Sequence, residues 1–158
     1  MLEHYIRSIL ALQKRSGAAQ PLNLVIMTSN DTHAATLSLL QKNQYFGSSA
    51  AHVHLLQQAK VACLSDGDAH LALDPADPYC VQTKPHGHGD VHMLMHHSGL
   101  AKRLLRSGVK WLAFFQDTNA LVFRGLLPTL GTYALAWLSV SISFATNRNM
   151  FWMPAWQT

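Results

Sequence analysis

The sequence predicts an α/β domain with a mainly parallel sheet, and three observations lead to it. Leu22 to Met27 (LNLVIM) is an unbroken apolar run behind Pro21, the pattern of a strand buried on both faces. A second such run, Lys110 to Phe115, ends in the polar stretch Gln116, Asp117, Thr118 and Asn119. Segments of helical period lie before and between the two runs, and in such an alternation ligands collect at the carboxyl ends of the strands.

Taken in order, Leu2, Tyr5, Ile6, Ile9 and Leu10 recur at helical spacing, Lys14 and Arg15 suit a helix C-terminus, and Gly17 can end it. Glu3 and Arg7 interrupt any apolar leader in this stretch. After the first strand, Thr28, Ser29, Asn30 and Asp31 offer N-caps to a helix carrying Leu37 and Leu40, expected to run to Phe46 and Gly47. Val53 to Leu56, Val61 to Leu64 and His70 to Leu73 read as short strands, the last two separated by the turn Ser65 to Asp68, and this middle portion is expected to be antiparallel. Asp74, Pro75, Asp77 and Pro78 predict a loop, and Val91 to Arg106 a helix closed by Gly108. Beyond a further apolar segment, Leu121 to Leu127, the chain carries Arg148 as its sole charge from Gly125 to Thr158. Thr132 to Ala145 is apolar but shorter than the roughly 20 residues that span a bilayer, and Pro128 and Arg124 block its extension.

Composition narrows the function. With 158 residues, 49% hydrophobic and 13% charged, the chain fits one domain with a core and is not a highly charged disordered polymer. Twelve Lys and Arg against eight Asp and Glu give +4 without basic runs, which supports an anionic small substrate at least as well as a nucleic-acid groove. Cys63 and Cys80 form no disulfide framework and no zinc spacing, so a reducing compartment, the cytoplasm, is expected.

Chemistry concentrates in Gln82 to His97 (QTKPHGHGDVHMLMHH). His86, His88, Asp90 and His92 are candidate metal ligands, with His92 and His96 at i, i+4. They approach the HxHxDH pattern of metallo-β-lactamases, but Val91 intervenes and shifts the register. Alternatively, the glycine-rich loop opens a helix whose N-terminal N–H groups favour a phosphate, with Lys84 and His88 as added donors. The plainest reading makes them surface histidines, and it is preferred for His96 and His97. Asp117 is balanced between holding Mg²⁺ and capping a helix, with Asn119 beside it able to bond a sugar hydroxyl.

Together, IMTSNDTH (Ile26 to His33), YFG (Tyr45 to Gly47), VHLLQQAKVACLSDGDAHLALDP (Val53 to Pro75), QTKPHGHGDVH (Gln82 to His92) and FFQDTNAL (Phe114 to Leu121) resemble the UDP-sugar pyrophosphorylases, uridylyltransferases of broad sugar specificity. The resemblance runs from about Tyr5 to Gly131. It implies a Rossmann-like, GT-A-like nucleotidyltransferase with a mixed sheet, present here in part over residues 1–131, followed by a divergent apolar tail, 132–158. The family's glycine-rich UTP loop lies upstream of Met1, so the chain is expected to be a fragment, marginally stable and weak or silent in catalysis. Asn30 stands where Asp is expected and Ala120 where Gly is expected.

The implied reaction joins UTP and a sugar 1-phosphate to give a UDP-sugar and pyrophosphate, without nucleic acid or membrane. The resemblance implies His88 and Asp117 as catalytic residues and Asp117 as the Mg²⁺ ligand. Thr28, Ser29, Lys84, Gly87, His88, Gly89, Asp90 and Asn119 are the implied substrate contacts. A non-catalytic nucleotide-binding remnant and a zinc hydrolase are the alternatives.

Overall fold

The computed structural model describes residues 1–116, 118, 119, 121–126 and 128, together with the backbone of Trp152–Pro154. The first helix, α1 (Leu2–Ser16), turns Tyr5 and Ile6 inward, pairs Glu3 with Arg7 at 2.8 Å on its outer side, and ends at Gly17 in the left-handed conformation. Strand β1 (Leu24–Thr28) follows, then α2 (Asn30–Lys42), whose N-cap Ser29 donates its backbone N–H to Thr32 Oγ1 at 3.0 Å.

Helix α2 stops short of the expected Phe46. Asn43 bonds back to the Leu39 carbonyl through both its backbone N–H, at 3.2 Å, and its side-chain amide, at 2.8 Å. Gln44, Tyr45 and Phe46 then take positive φ angles of 49°, 52° and 51°. Three consecutive left-handed residues cost about 1–2 kcal/mol each. Packing of Tyr45 and Phe46 against the core of Ile6, Leu40 and Val53 offsets that cost.

Strand β2 (Val53–Gln57) pairs with β1 in parallel, from Leu24 opposite Val53 to Thr28 opposite Gln57. This corrects the expectation of an antiparallel middle portion at its first strand, because the crossover through α2 returns the chain in the direction in which it left. For the rest the expectation holds. Strand β3 (Lys60–Ala62) pairs antiparallel with β6 (Thr83–Pro85), and β4 (Leu73–Asp74) with β5 (Asp77–Val81). Asp77 and Pro78 thus belong to a hairpin strand rather than to a loop.

The expected helix from Val91 to Arg106 is two helices, α3 (Asp90–His97) and α4 (Leu100–Arg106), divided at Ser98 and Gly99, where Gly99 has φ 68°. Strand β7 (Trp111–Ala113) is shorter than the apolar run that predicted it, and β8 (Trp152–Pro154) lies antiparallel against it. The tail therefore returns a strand to the domain; Thr132 to Ala145 and the boundary at 131/132 lie outside the described residues. Among the described residues β1–β2 is the parallel pair and three pairs are antiparallel, so the sheet content is mixed rather than mainly parallel. No helix among them is long and apolar enough to cross a membrane.

Alternation along β1 and β2 creates two cores. Leu24, Ile26, Val53 and Leu55 face the α1–α2 side with Ile6 and Leu40, whereas Val25 and Leu56 face Met95, Leu100 and Leu104 of α3 and α4. This is why LNLVIM lacks a polar alternation: both faces of the strand have helical cover. On the α3–α4 face, burial first, then Arg103 and His52, hold the His54 imidazole below its usual pKa of 6.5.

Two stability tests follow. Leu40 is fully buried, and Leu40→Ala should cost about 2–5 kcal/mol in urea unfolding, whereas Leu39→Ala, at a site 46% exposed, should stay within about 0.5 kcal/mol. A depressed histidine contributes stability that is complete above the unfolded-state pKa and is lost as pH falls through the lower folded-state value. The thermal midpoint should therefore drop as pH falls below 6.5, and His54→Gln should make that drop shallower.

Candidate functional site

A groove of about 1440 Å³ runs along β1 and is walled by Val109 to Gln116 on one side and by residues of α3 on another. Its character changes along its length. At the carboxyl end of β1, Thr28 is 5% exposed, with its hydroxyl donating to the Leu56 carbonyl at 3.4 Å and lying 2.8 Å from His33 Nδ1. A hydroxyl has one proton, so both contacts are satisfied when His33 carries its proton on Nδ1 and donates it to Thr28.

The connection from Thr28 to the histidine loop is made by Gln58. Its backbone N–H donates to the Thr28 carbonyl at 2.8 Å, and its side-chain Oε1 accepts the Gly87 N–H at 3.4 Å. The His86 N–H reaches the Ala59 carbonyl at 3.4 Å, which fixes the start of the same loop. Gly87 has φ 129°, a conformation available to glycine and strained for other residues, and it turns the chain into α3. His88 and Gly89 then line the groove at the α3 N-terminus. Their N–H groups have no protein acceptor among the described residues, which leaves donors and a helix dipole for an anion.

Other predicted residues take different positions. Asp90, with its side chain 11% exposed, lies 3.0 Å through Oδ1 from His86 Nδ1, so its carboxylate holds the loop's first histidine. Ser29 is spent on capping, with its hydroxyl 3.0 Å from Thr32 Oγ1. Lys84 is exposed on β6, opposite Val61. Asn119 is exposed and accepts the Leu121 N–H at 3.2 Å through Oδ1. Asp117 itself and Ala120 lie outside the described residues, but Gln116, one position before Asp117, lines the groove.

The zinc cluster weighed as an alternative is not assembled among the described residues. Among the described residues no three His, Cys, Asp or Glu side chains converge on a metal. His86 is bound to Asp90, and His92 packs on Phe114 with ring centroids 4.5 Å apart. His96 and His97 are exposed and meet each other edge to face, as preferred from the sequence. Sequence reasoning missed Gln58 and His33. The signal for Gln58 was the polar pair Gln57–Gln58 closing the apolar run Val53 to Leu56; His33 offered none beyond its place in the first turn of α2.

Comparison of the sequence with known proteins shows the family to which the chain belongs. The model of the UTP–glucose-1-phosphate uridylyltransferase family matches residues 1–122, and the chain belongs to that family. Within it, the chain is 55% identical over 139 residues to the UDP-sugar pyrophosphorylase of Arabidopsis thaliana, covering 84% of this chain and 23% of that protein. It is 53% identical over the same length to the UDP-sugar pyrophosphorylase of Oryza sativa subsp. indica, again with 23% of that protein covered. The chain thus spans about a quarter of the length of the curated relatives that it matches.

Solved structures agree on the fold. A crystal structure of a putative UDP-N-acetylglucosamine pyrophosphorylase from Entamoeba histolytica matches with a TM-score of 0.59 at 20% identity, over 71% of this chain and 28% of that one. The L281D mutant of Leishmania major UDP-glucose pyrophosphorylase, solved with UDP-glucose, matches with 0.52 at 20% identity, over 80% of this chain and 28% of that one. These likenesses show that the chain shares the α/β fold of those structures over the matched portion.

The loop geometry sets up a paired test. Gly87→Ala should cost about 1–3 kcal/mol, because the strain at φ 129° is unavoidable even though the space is open. Gly89→Ala, in right-handed helical conformation with no atom near the added methyl, should stay within about 0.5 kcal/mol. Urea unfolding of the two variants checks both values.

Proposed function

We propose that this chain carries the nucleotide-facing part of a uridylyltransferase that converts UTP and a sugar 1-phosphate into a UDP-sugar and pyrophosphate. One observation carries the reading: Gln58 ties the carboxyl end of β1 to the Gly87–Asp90 loop, so Thr28 and the N-terminal donors of α3 share one end of one groove. In the proposed reaction a phosphate oxygen of the sugar 1-phosphate attacks the α-phosphorus of UTP, a new P–O bond forms, and pyrophosphate leaves. Such a transfer depends on alignment and charge neutralisation more than on a protein nucleophile.

Within this proposal the His88 and Gly89 N–H groups and the His88 ring bind phosphate oxygens, with Lys84 supplying positive charge from β6. Asp90 acts through His86 to keep the loop in place. Thr28, oriented by His33, contacts the nucleotide, and Asn119 the sugar. Asp117 would hold Mg²⁺. The donor set suits that ion, which needs one or two carboxylates and takes its other ligands from phosphate and water. When bound it neutralises phosphate charge. Free thiols at Cys63 and Cys80 support the cytoplasm as the compartment.

Binding without turnover is the second reading, since the groove-lining donors of His88 and Gly89 can hold a phosphate with no transfer step. Equilibrium dialysis against UTP and Mg²⁺, with a pyrophosphate-release assay after addition of glucose 1-phosphate, tests both. The proposal expects saturable UTP binding that weakens about tenfold in His88→Ala, the scale of one charge-assisted hydrogen bond. Release of pyrophosphate selects transfer over binding alone. A chain that neither binds UTP nor releases pyrophosphate overturns the proposal.

A further inference from the structure

At the opposite end of the same groove, a second polar constellation stands apart from the nucleotide-facing loop. Asn23 immediately precedes β1, and His52 and His54 flank Val53 at the start of β2. The parallel register sets Leu24 opposite Val53 and Val25 opposite His54, so side-chain alternation brings Asn23, His52 and His54 to one face, the one covered by α3 and α4. Thr28 is five residues further along the strand, roughly 16 Å at ~3.3 Å per residue. His52 Nδ1 lies 3.2 Å and His54 Nε2 3.1 Å from one atom, Asn23 Oδ1. All three side chains line the groove, which gives an ion a route to them.

We propose that Asn23 Oδ1, His52 Nδ1 and His54 Nε2 form a binding site for a divalent transition-metal ion, Zn²⁺ being the best fit, with water in the remaining position. Around a four-coordinate zinc with bonds of about 2.0–2.2 Å, neighbouring donor atoms stand about 3.3–3.5 Å apart. The two observed separations fall a few tenths of an ångström short of that; because both rings now aim at Oδ1 itself, binding spreads the donors and turns the amide oxygen aside so that the lone pairs meet on the ion. Each ring now directs an N–H at the amide oxygen. On binding, each neutral imidazole moves its proton to the other ring nitrogen, His52 Nε2 and His54 Nδ1, and presents a lone pair to the ion. Two imidazoles favour zinc, copper or nickel over magnesium or calcium, which take oxygen donors.

Arg103 opposes the ion and supplies a discriminating test. Its guanidinium acts electrostatically on His54 while Nη1 donates to the Ser98 carbonyl at 3.0 Å, and the residue is exposed, so water screens the repulsion without abolishing it. Removing the charge should therefore tighten binding.

The experiment titrates Zn²⁺ into the full chain against a chromophoric chelator and follows the histidine ring nitrogens by long-range ¹H–¹⁵N NMR. The expected result is a site that weakens at least about tenfold in His52→Ala and in His54→Ala. It should weaken less in Asn23→Ala, tighten in Arg103→Gln, and stay unchanged in His96→Ala. In the unsubstituted chain the His52 Nδ1 and His54 Nε2 resonances should take metal-bound shifts, a readout that does not depend on any variant folding. Absence of zinc binding, binding indifferent to both histidine substitutions, or metal-bound shifts confined to His86, His88 or His92 would overturn the proposal.

Discussion

The parallel pairing of β1 with β2 is the constraint on which the other features depend. Because both strands run the same way, their carboxyl ends emerge at one edge, and Gln58, the first residue past β2, lies within hydrogen-bond reach of Thr28. The same residue then holds Gly87. An antiparallel pairing would send Gln58 to the amino end of β1 and separate the two halves of the site. The register also fixes the other edge, where it brings two histidines and an asparagine together on one face.

That ladder holds its place because it is covered on both sides. Ile6 and Leu40 seal one face, and Met95, Leu100 and Leu104 the other, so neither strand can slip by one residue without exchanging its two cores. The groove beside β1 is the portion of this surface left open, and its apolar walls lower the local polarity at both ends. Phosphate donors placed at such an edge act with less competition from water than on an open surface.

Much of this arrangement was legible in the sequence, for identifiable reasons. LNLVIM announced a strand covered on two faces, Ser29 announced a cap, and the glycines of HGHGD announced a turn into a helix; each is a local signal with a local physical cause. The departures arose where distant contacts decided. Nothing local in Gln44 to Phe46 announces three left-handed residues, which depend on the core accepting Tyr45 and Phe46. The break at Ser98–Gly99 competes with a helical pattern that continues across it, and the direction of β2 depends on the crossover rather than on its own residues. At the site, His88 and Gly89 were candidates from the glycine-rich loop and the family resemblance, whereas Gln58 acts through a partner 29 residues away and left only a polar strand end as a trace.

In the proposed function a nucleotide's phosphates sit at the shared carboxyl edge of β1 and β2. Amide chemical-shift mapping on the ¹⁵N-labelled chain, with UTP and Mg²⁺ added stepwise, tests it most directly. The largest shifts should fall on Thr28, Gln58 and Gly87 to Asp90, with the Leu73–Val81 hairpin unmoved. Shifts concentrated on that hairpin, or at Asn23, His52 and His54 with the Gly87–Asp90 amides silent, would contradict it.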